Sequence, residues 1–143
     1  MRIGSLFVAW FLVLSGCGTT GGSLDVVAPC TSFEGQSTPL TASAGQIEPK
    51  VDDTFTVSLC SNPSTGYSWS DDVEYDRSVV ELVGRVFESG PTASPPTVGA
   101  AGMDIFSFRA LGTGTTTVRM TYSRPFETGQ APLWTFQVQV LVD

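Results

Sequence analysis

From residue 54 onward the apolar residues of this 143-residue chain return at every second position, and that spacing constrains the fold more than any other feature. Phe55, Val57 and Leu59 alternate with Thr54, Thr56 and Ser58. Phe106, Phe108 and Ala110 alternate with Ile105, Ser107 and Arg109. Val118, Met120 and Tyr122 alternate with Thr117, Arg119 and Thr121, and Trp134, Phe136, Val138, Val140 and Val142 with Thr135, Gln137, Gln139 and Leu141. Side chains of an extended strand point to opposite faces in turn, so each set marks a strand with one face inward. Two more strands are expected around Tyr67-Ser68-Trp69 and from Val79 to Phe87. No segment holds three turns of a 3.6-residue apolar period.

The breaks between these runs agree. Leu111-Gly112-Thr113-Gly114 reads as a tight hairpin link. Gly90 to Pro96 carries three prolines and must be loop. About seven short strands separated by turns predict an all-β fold, an immunoglobulin-like antiparallel β-sandwich. Trp69 and Tyr122 belong in or near its core.

The first residues follow a different logic. Arg2 precedes an uncharged apolar run from Leu6 to Leu14, too short to cross a bilayer as a helix, so it reads as a signal peptide. Leu14-Ser15-Gly16-Cys17 has the form of a bacterial lipobox, in which the cysteine becomes a lipidated N-terminus; ordinary cleavage nearby is the alternative. Residues 1–16 are therefore expected to be a lipoprotein signal peptide. Residues 17–39 would form the lipidated Cys17 with a tether, flexible from Gly18 to Ser23, and an N-terminal extension. Residues 40–143 would form the folded domain. The expected location is exported and lipid-anchored to the cell membrane, on a periplasmic or extracellular face. Lipidation leaves Cys30 and Cys60, an even pair in an exported chain, so a disulfide is expected.

Charge and missing residue types exclude several classes. The net charge is −7 and Lys50 is the one lysine, so nucleic acid is not an expected partner. The chain has no histidine, which removes Ser-His-Asp and Cys-His hydrolases and makes a catalytic zinc site implausible. Asp52-Asp53 and Asp71-Asp72 are adjacent carboxylates, but neighbours on a strand face opposite ways and form no acid–base dyad. Asp71, Asp72, Glu74 and Asp76 lack the glycine and terminal glutamate of a calcium loop and read as a solvated acidic edge. No cofactor or metal is expected, the chain is not read as an enzyme, and nothing calls for more than a monomer.

Three segments carry the functional reading. Asn62-Pro63-Ser64-Thr65-Gly66-Tyr67 combines a φ-restricting proline, a permissive glycine and an asparagine able to bond its own turn, with Ser64 and Thr65 at the tip. Gly99-Ala100-Ala101-Gly102 offers a low profile that another backbone can approach. Arg124-Pro125-Phe126, next to Glu127, sets a cation and an aromatic on a stiff turn, the residue types that anchor contacts. In a sandwich, alternate connections leave at the same end, so these three would share one edge.

In order and separation these segments resemble the inhibitory loops of the chagasin-like family (I42), which carry Asn-Pro-Thr-Thr-Gly-Tyr/Phe, then Gly-x-Gly-Gly, then Arg-Pro-Trp/Phe. The resemblance runs from about residue 40 to residue 143 and includes the Tyr-x-Trp after the first loop. Ser64 replaces a threonine. Ala101 replaces a glycine, and its methyl is expected to hinder close approach. The resemblance implies a reversible protein inhibitor of papain-type cysteine peptidases. Ser64 and Thr65 would enter the cleft at the catalytic centre. Gly99 to Gly102 would lie on one wall, with Arg124 and Phe126 on the other. The competing reading is a surface lipoprotein of the same fold that binds a different partner without inhibiting anything.

Overall fold

The computed structural model describes residues 24–30, 40–90 and 99–143. Cys17, the tether from Gly18 to Ser23 and the prolines of the Gly90–Pro96 segment lie outside the described residues. Eight strands form two four-stranded sheets: β1 (Leu24–Ala28), β2 (Leu40–Ile47), β3 (Thr54–Ser61), β4 (Ser68–Trp69), β5 (Val80–Ser89), β6 (Gly102–Ala110), β7 (Gly114–Ser123) and β8 (Trp134–Val142). One sheet has the order β1-β3-β6-β5 and the other β2-β8-β7-β4. Among the described residues there is no α-helix; a 3-10 turn spans Pro63–Thr65.

The alternation puts the expected faces inward. Phe55, Val57, Leu59, Phe106 and Phe108 of one sheet meet Val118, Met120, Tyr122, Phe136 and Val138 of the other, all essentially inaccessible to water. Phe55 and Phe108 stack with centroids 5.2 Å apart, and Tyr75 presents its edge to Phe108 at 5.9 Å. Burial of this surface is the main force holding the layers together. Trp69 and Tyr122 are core residues, as their place in the pattern implies.

Two features depart from the sequence reading. First, the antiparallel body carries a parallel strand on one edge of each sheet. β1 runs parallel to β3, with Leu24 opposite Phe55 and Ala28 opposite Leu59. β2 runs parallel to β8, with an irregularity between Ser43 and Gln46, where Gly45 takes φ +79°. The segment before residue 40, expected to be tether and extension, thus contributes a strand. Second, Leu111–Thr113 is not a hairpin link. β6 and β7 lie in different sheets, and the segment crosses between the layers, with Leu111 N–H donating to the Val79 carbonyl at 2.8 Å. Residue spacing reports a short connection but not whether its two strands pair or stack.

The expected Cys30–Cys60 disulfide is present and joins the residues after β1 to the end of β3.

Candidate functional site: a loop edge at one pole

The strand pairing brings three connections to one end. Ser61, the last residue of β3, is opposite Gly102, the first of β6, which is also opposite Ser89 at the end of β5. Ser123 ends β7 opposite Ser68 of β4, and Tyr122 is opposite Trp134 at the start of β8. The β3–β4, β5–β6 and β7–β8 connections therefore leave the same pole, and they are the three segments singled out above.

The first loop is built around Asn62. Its Oδ1 accepts from the Ser64 hydroxyl at 2.6 Å and from the Ser64 N–H at 3.3 Å. Its carbonyl accepts from the Thr65 hydroxyl at 2.7 Å and the Thr65 N–H at 3.1 Å. Gly66 closes the turn in the left-handed region (φ 78°, ψ 0°), where an L side chain is strained. The two hydroxyls that the sequence places on display are thus engaged within the turn. What the tip shows to solvent is the Pro63 ring and the outer surfaces of Ser64 and Thr65, in a conformation that is already set.

Asn62 also joins loops. Its Nδ2 donates to the Gly99 carbonyl at 3.0 Å, tying the first loop to the second. Gly99 has φ +85°, and a Cβ there would sit 3.1 Å from the Ser64 hydroxyl, so the second loop lies directly on the first. Ala100 is exposed beside it. Ala101 and Gly102 require correction. Ala101 is half-buried and packs against the core, so it is only partly presented to the outer surface. Gly102 is buried in β6 rather than lying on an outer wall. Its missing side chain makes room for β5, because a Cβ would collide with the Glu88 carbonyl and the Phe87 ring.

The third loop abuts the other flank. Phe126 is 71% exposed, and a Cβ added to Gly66 would touch its ring at 3.4 Å. Pro125 is exposed next to it. Arg124 turns back: its guanidinium lies 4.4 Å from the Tyr67 ring centroid and donates to Glu127 Oε1 at 3.0 Å. The hydrogen bond to Glu127 raises its already high pKa, so the charge is permanent. Arg124 serves as a partly exposed buttress as much as an anchor.

Beneath the loops runs a column that sequence reading missed as a unit. Tyr67 stacks on Tyr122 at 5.6 Å, Tyr122 on Trp134 at 4.5 Å, and Trp69 tilts against Tyr122 at 5.0 Å. The Tyr122 hydroxyl accepts from the Asn62 N–H at 3.0 Å, and Trp69 Nε1 donates to the Cys60 carbonyl at 2.9 Å. The pattern had marked Tyr122 and Trp69 only as apolar positions. That both carry a polar atom at the loop end of their strands was the available signal.

Two of the four acidic residues considered for calcium are otherwise occupied: Asp71 pairs with Arg85, and Asp76 accepts from the Ser78 hydroxyl and N–H, which lowers its pKa. Among the described residues no group of His, Cys, Asp or Glu is arranged to hold a metal ion.

Two sheets closed over an aromatic core, with three braced loops at one pole, define an all-β sandwich with a preorganised loop edge. The chain belongs to the chagasin family: the model of the Chagasin family peptidase inhibitor I42 matches residues 48–140. The family consists of inhibitors, not enzymes. Amoebiasin-2 of Entamoeba histolytica is 33% identical over 90 residues, spanning 63% of this chain and 71% of that protein. The crystal structure of EhICP2, a cysteine protease inhibitor from Entamoeba histolytica, superposes with TM-score 0.62 at 27% identity, over 76% of this chain and all of that one. PbICP-C, solved in complex with falcipain-2, shares the fold at 17% identity and TM-score 0.54, over 85% of this chain and all of that one.

Proposed function

We propose that this chain is a reversible inhibitor of papain-type cysteine peptidases, with the three loops filling the active-site cleft. The carrying observation is the Asn62 Nδ2–Gly99 carbonyl bond, which, with the Phe126 ring one methyl's width from Gly66, gathers three separate connections into one edge. A partner meeting that edge orders little that is not already ordered, which favours tight binding. The first loop inserts Pro63, Ser64 and Thr65 at the catalytic centre. Its 3-10 turn and left-handed Gly66 do not present an extended peptide bond for attack, so occupancy proceeds without cleavage. Gly99 and Ala100 face one wall. Phe126 packs on the other, supplying an exposed aromatic for apolar contact, while Arg124 holds Tyr67 and the loop root. About 800 Å² on each partner is the usual area of such a contact.

The same proposal places the protein outside the cytoplasm as a monomer anchored by lipid at Cys17. The lipobox at Leu14–Cys17 supports this, and so does the Cys30–Cys60 disulfide, a bond of oxidising compartments. Replacing Cys17 by serine should move the protein from the membrane fraction to the soluble fraction.

The test of the inhibitory reading is titration of papain with the detergent-purified full-length protein and with its Thr65→Glu variant. The expected result is stoichiometric loss of peptidase activity with the native protein and none with the variant. Thr65 is exposed, so the two should melt within a few degrees of each other. Inhibition that survives Thr65→Glu would refute insertion of the first loop. No inhibition of any papain-type peptidase by folded protein would leave a binding module that recognises something else.

A further inference from the structure

A recess lies beside the first loop, and none of the three loop motifs accounts for it. It is lined by Ser61, Pro63, Ser68, Arg85, Phe87 and Asp104, between the roots of β3 and β4 and the end of β5. Ser61 is 1% exposed, and its hydroxyl has no hydrogen-bond partner. A buried hydroxyl left unsatisfied loses free energy that a bound ligand atom can restore.

The chemistry of the recess is specific. Arg85 donates through Nε to Asp104 at 3.0 Å and through Nη1 to the Trp69 carbonyl at 3.1 Å and to Asp71. Its guanidinium also sits 4.9 Å from the Phe106 ring centroid. Burial works against its charge, but the bonds to Asp104 and Asp71 outweigh this and raise its pKa. The cation is thus permanent and nearly immobile. Within the recess lining the Arg85 guanidinium faces one carboxylate, Asp104, while its second partner, Asp71, lies exposed outside it. A ligand carboxylate would meet Asp104, and a ligand ammonium would meet Arg85. A neutral group that both donates and accepts meets neither penalty. Phe87, 42% exposed at the rim, offers a flat apolar wall.

We propose that this recess is a fourth contact site, which receives a carboxamide side chain, asparagine or glutamine, from the peptidase that the loop edge engages. The inference rests on the inhibitory reading. The reason for choosing that partner is continuity: Pro63 belongs to both the loop tip and the recess wall, and Ser61 directly precedes Asn62. The carboxamide oxygen accepts from Ser61, its NH2 donates to Asp104, and its plane lies along Phe87. Peptidases that carry such a residue at the cleft rim are then preferred over those that do not.

The test uses detergent-purified full-length protein against a panel of papain-type peptidases that the native protein inhibits, with the Thr65→Glu variant as the control for the cleft mode itself. Ser61→Ala removes the hydroxyl, and Phe87→Ala removes the wall; because the Phe87 ring also packs over buried Gly102, the melting curve of each variant is measured beside its inhibition. Against at least one peptidase, each should weaken inhibition by about five- to tenfold, the loss of one modest contact. Mutating the matching asparagine or glutamine of that peptidase to alanine should abolish the difference. Unchanged inhibition by both variants across the panel, while Thr65→Glu still abolishes it, would overturn the recess and leave the cleft mode standing. If the native protein inhibits none, the underlying reading fails before the recess is reached.

Discussion

Asn62 and Tyr122 do at the scale of single residues what no side chain at the exposed tip does. Asn62 uses its amide nitrogen on the second loop, its amide oxygen on Ser64 and its carbonyl on Thr65. We expect Asn62→Ala to weaken inhibition by at least about tenfold while lowering stability by only about 1 kcal/mol, since the lost bonds lie in a solvated turn. Parallel measurement of inhibition constants and thermal melting would check this; a large stability loss with intact inhibition would contradict it. Tyr122→Phe keeps the ring between Tyr67 and Trp134 but strands the Asn62 N–H. The expected cost is about 1–2 kcal/mol of stability together with weaker inhibition, because the same bond serves both. Equal melting curves for Tyr122→Phe and native protein would show that water replaces the hydroxyl at no cost.

Among the elements, the four strands with clean alternation were fully legible, because each has one buried face and a one-residue slip would turn it to solvent. β1 and β2 were not. β1 has only five residues and carries a half-exposed pattern, while β2 reads Leu-Thr-Ala-Ser-Ala-Gly-Gln-Ile and is mostly solvated. Both are edge strands held by hydrogen bonds to a neighbour, and a pairing partner leaves no periodic mark. The loops were legible as turns from Pro63, Gly66 and Pro125, and as a set only through the family resemblance. The bonds joining them run between backbone and side-chain atoms far apart in sequence, as with Asn62 and Gly99. The disulfide matters at this scale, since it pins β1 to the strand that enters the first loop, with Cys30 Sγ 4.0 Å from the Gly102 carbonyl oxygen. Replacing Cys30 and Cys60 together by serine should lower unfolding free energy by about 3 kcal/mol, given the 30-residue separation. Denaturant unfolding would measure it, and a loss below about 1 kcal/mol would mean that β1 is held by its ladder alone.

The molecule as a whole has no histidine and carries a net charge of −7. No side chain type present ordinarily titrates between about pH 5.5 and 8. Inhibition measured against a peptidase active across that range should therefore be flat once the peptidase's own titration is subtracted; a residual slope attributable to the inhibitor would contradict this. The direction of β1 has a larger consequence. Because it runs parallel to β3, Leu24 stands beside Phe55, at the end of the sandwich remote from the loops. Seven Cα–Cα steps separate Cys17 from Leu24, a reach of at most about 24 Å. β3 covers roughly a further 26 Å on its way to Asn62. If the proposed lipid anchor at Cys17 holds, the loop pole is the end of the domain farthest along the chain from the bilayer, with a maximum reach of about 50 Å. On the proposed anchoring, it would intercept enzymes arriving through the surrounding fluid, and a peptidase whose cleft opens against the same lipid surface would pass beneath it.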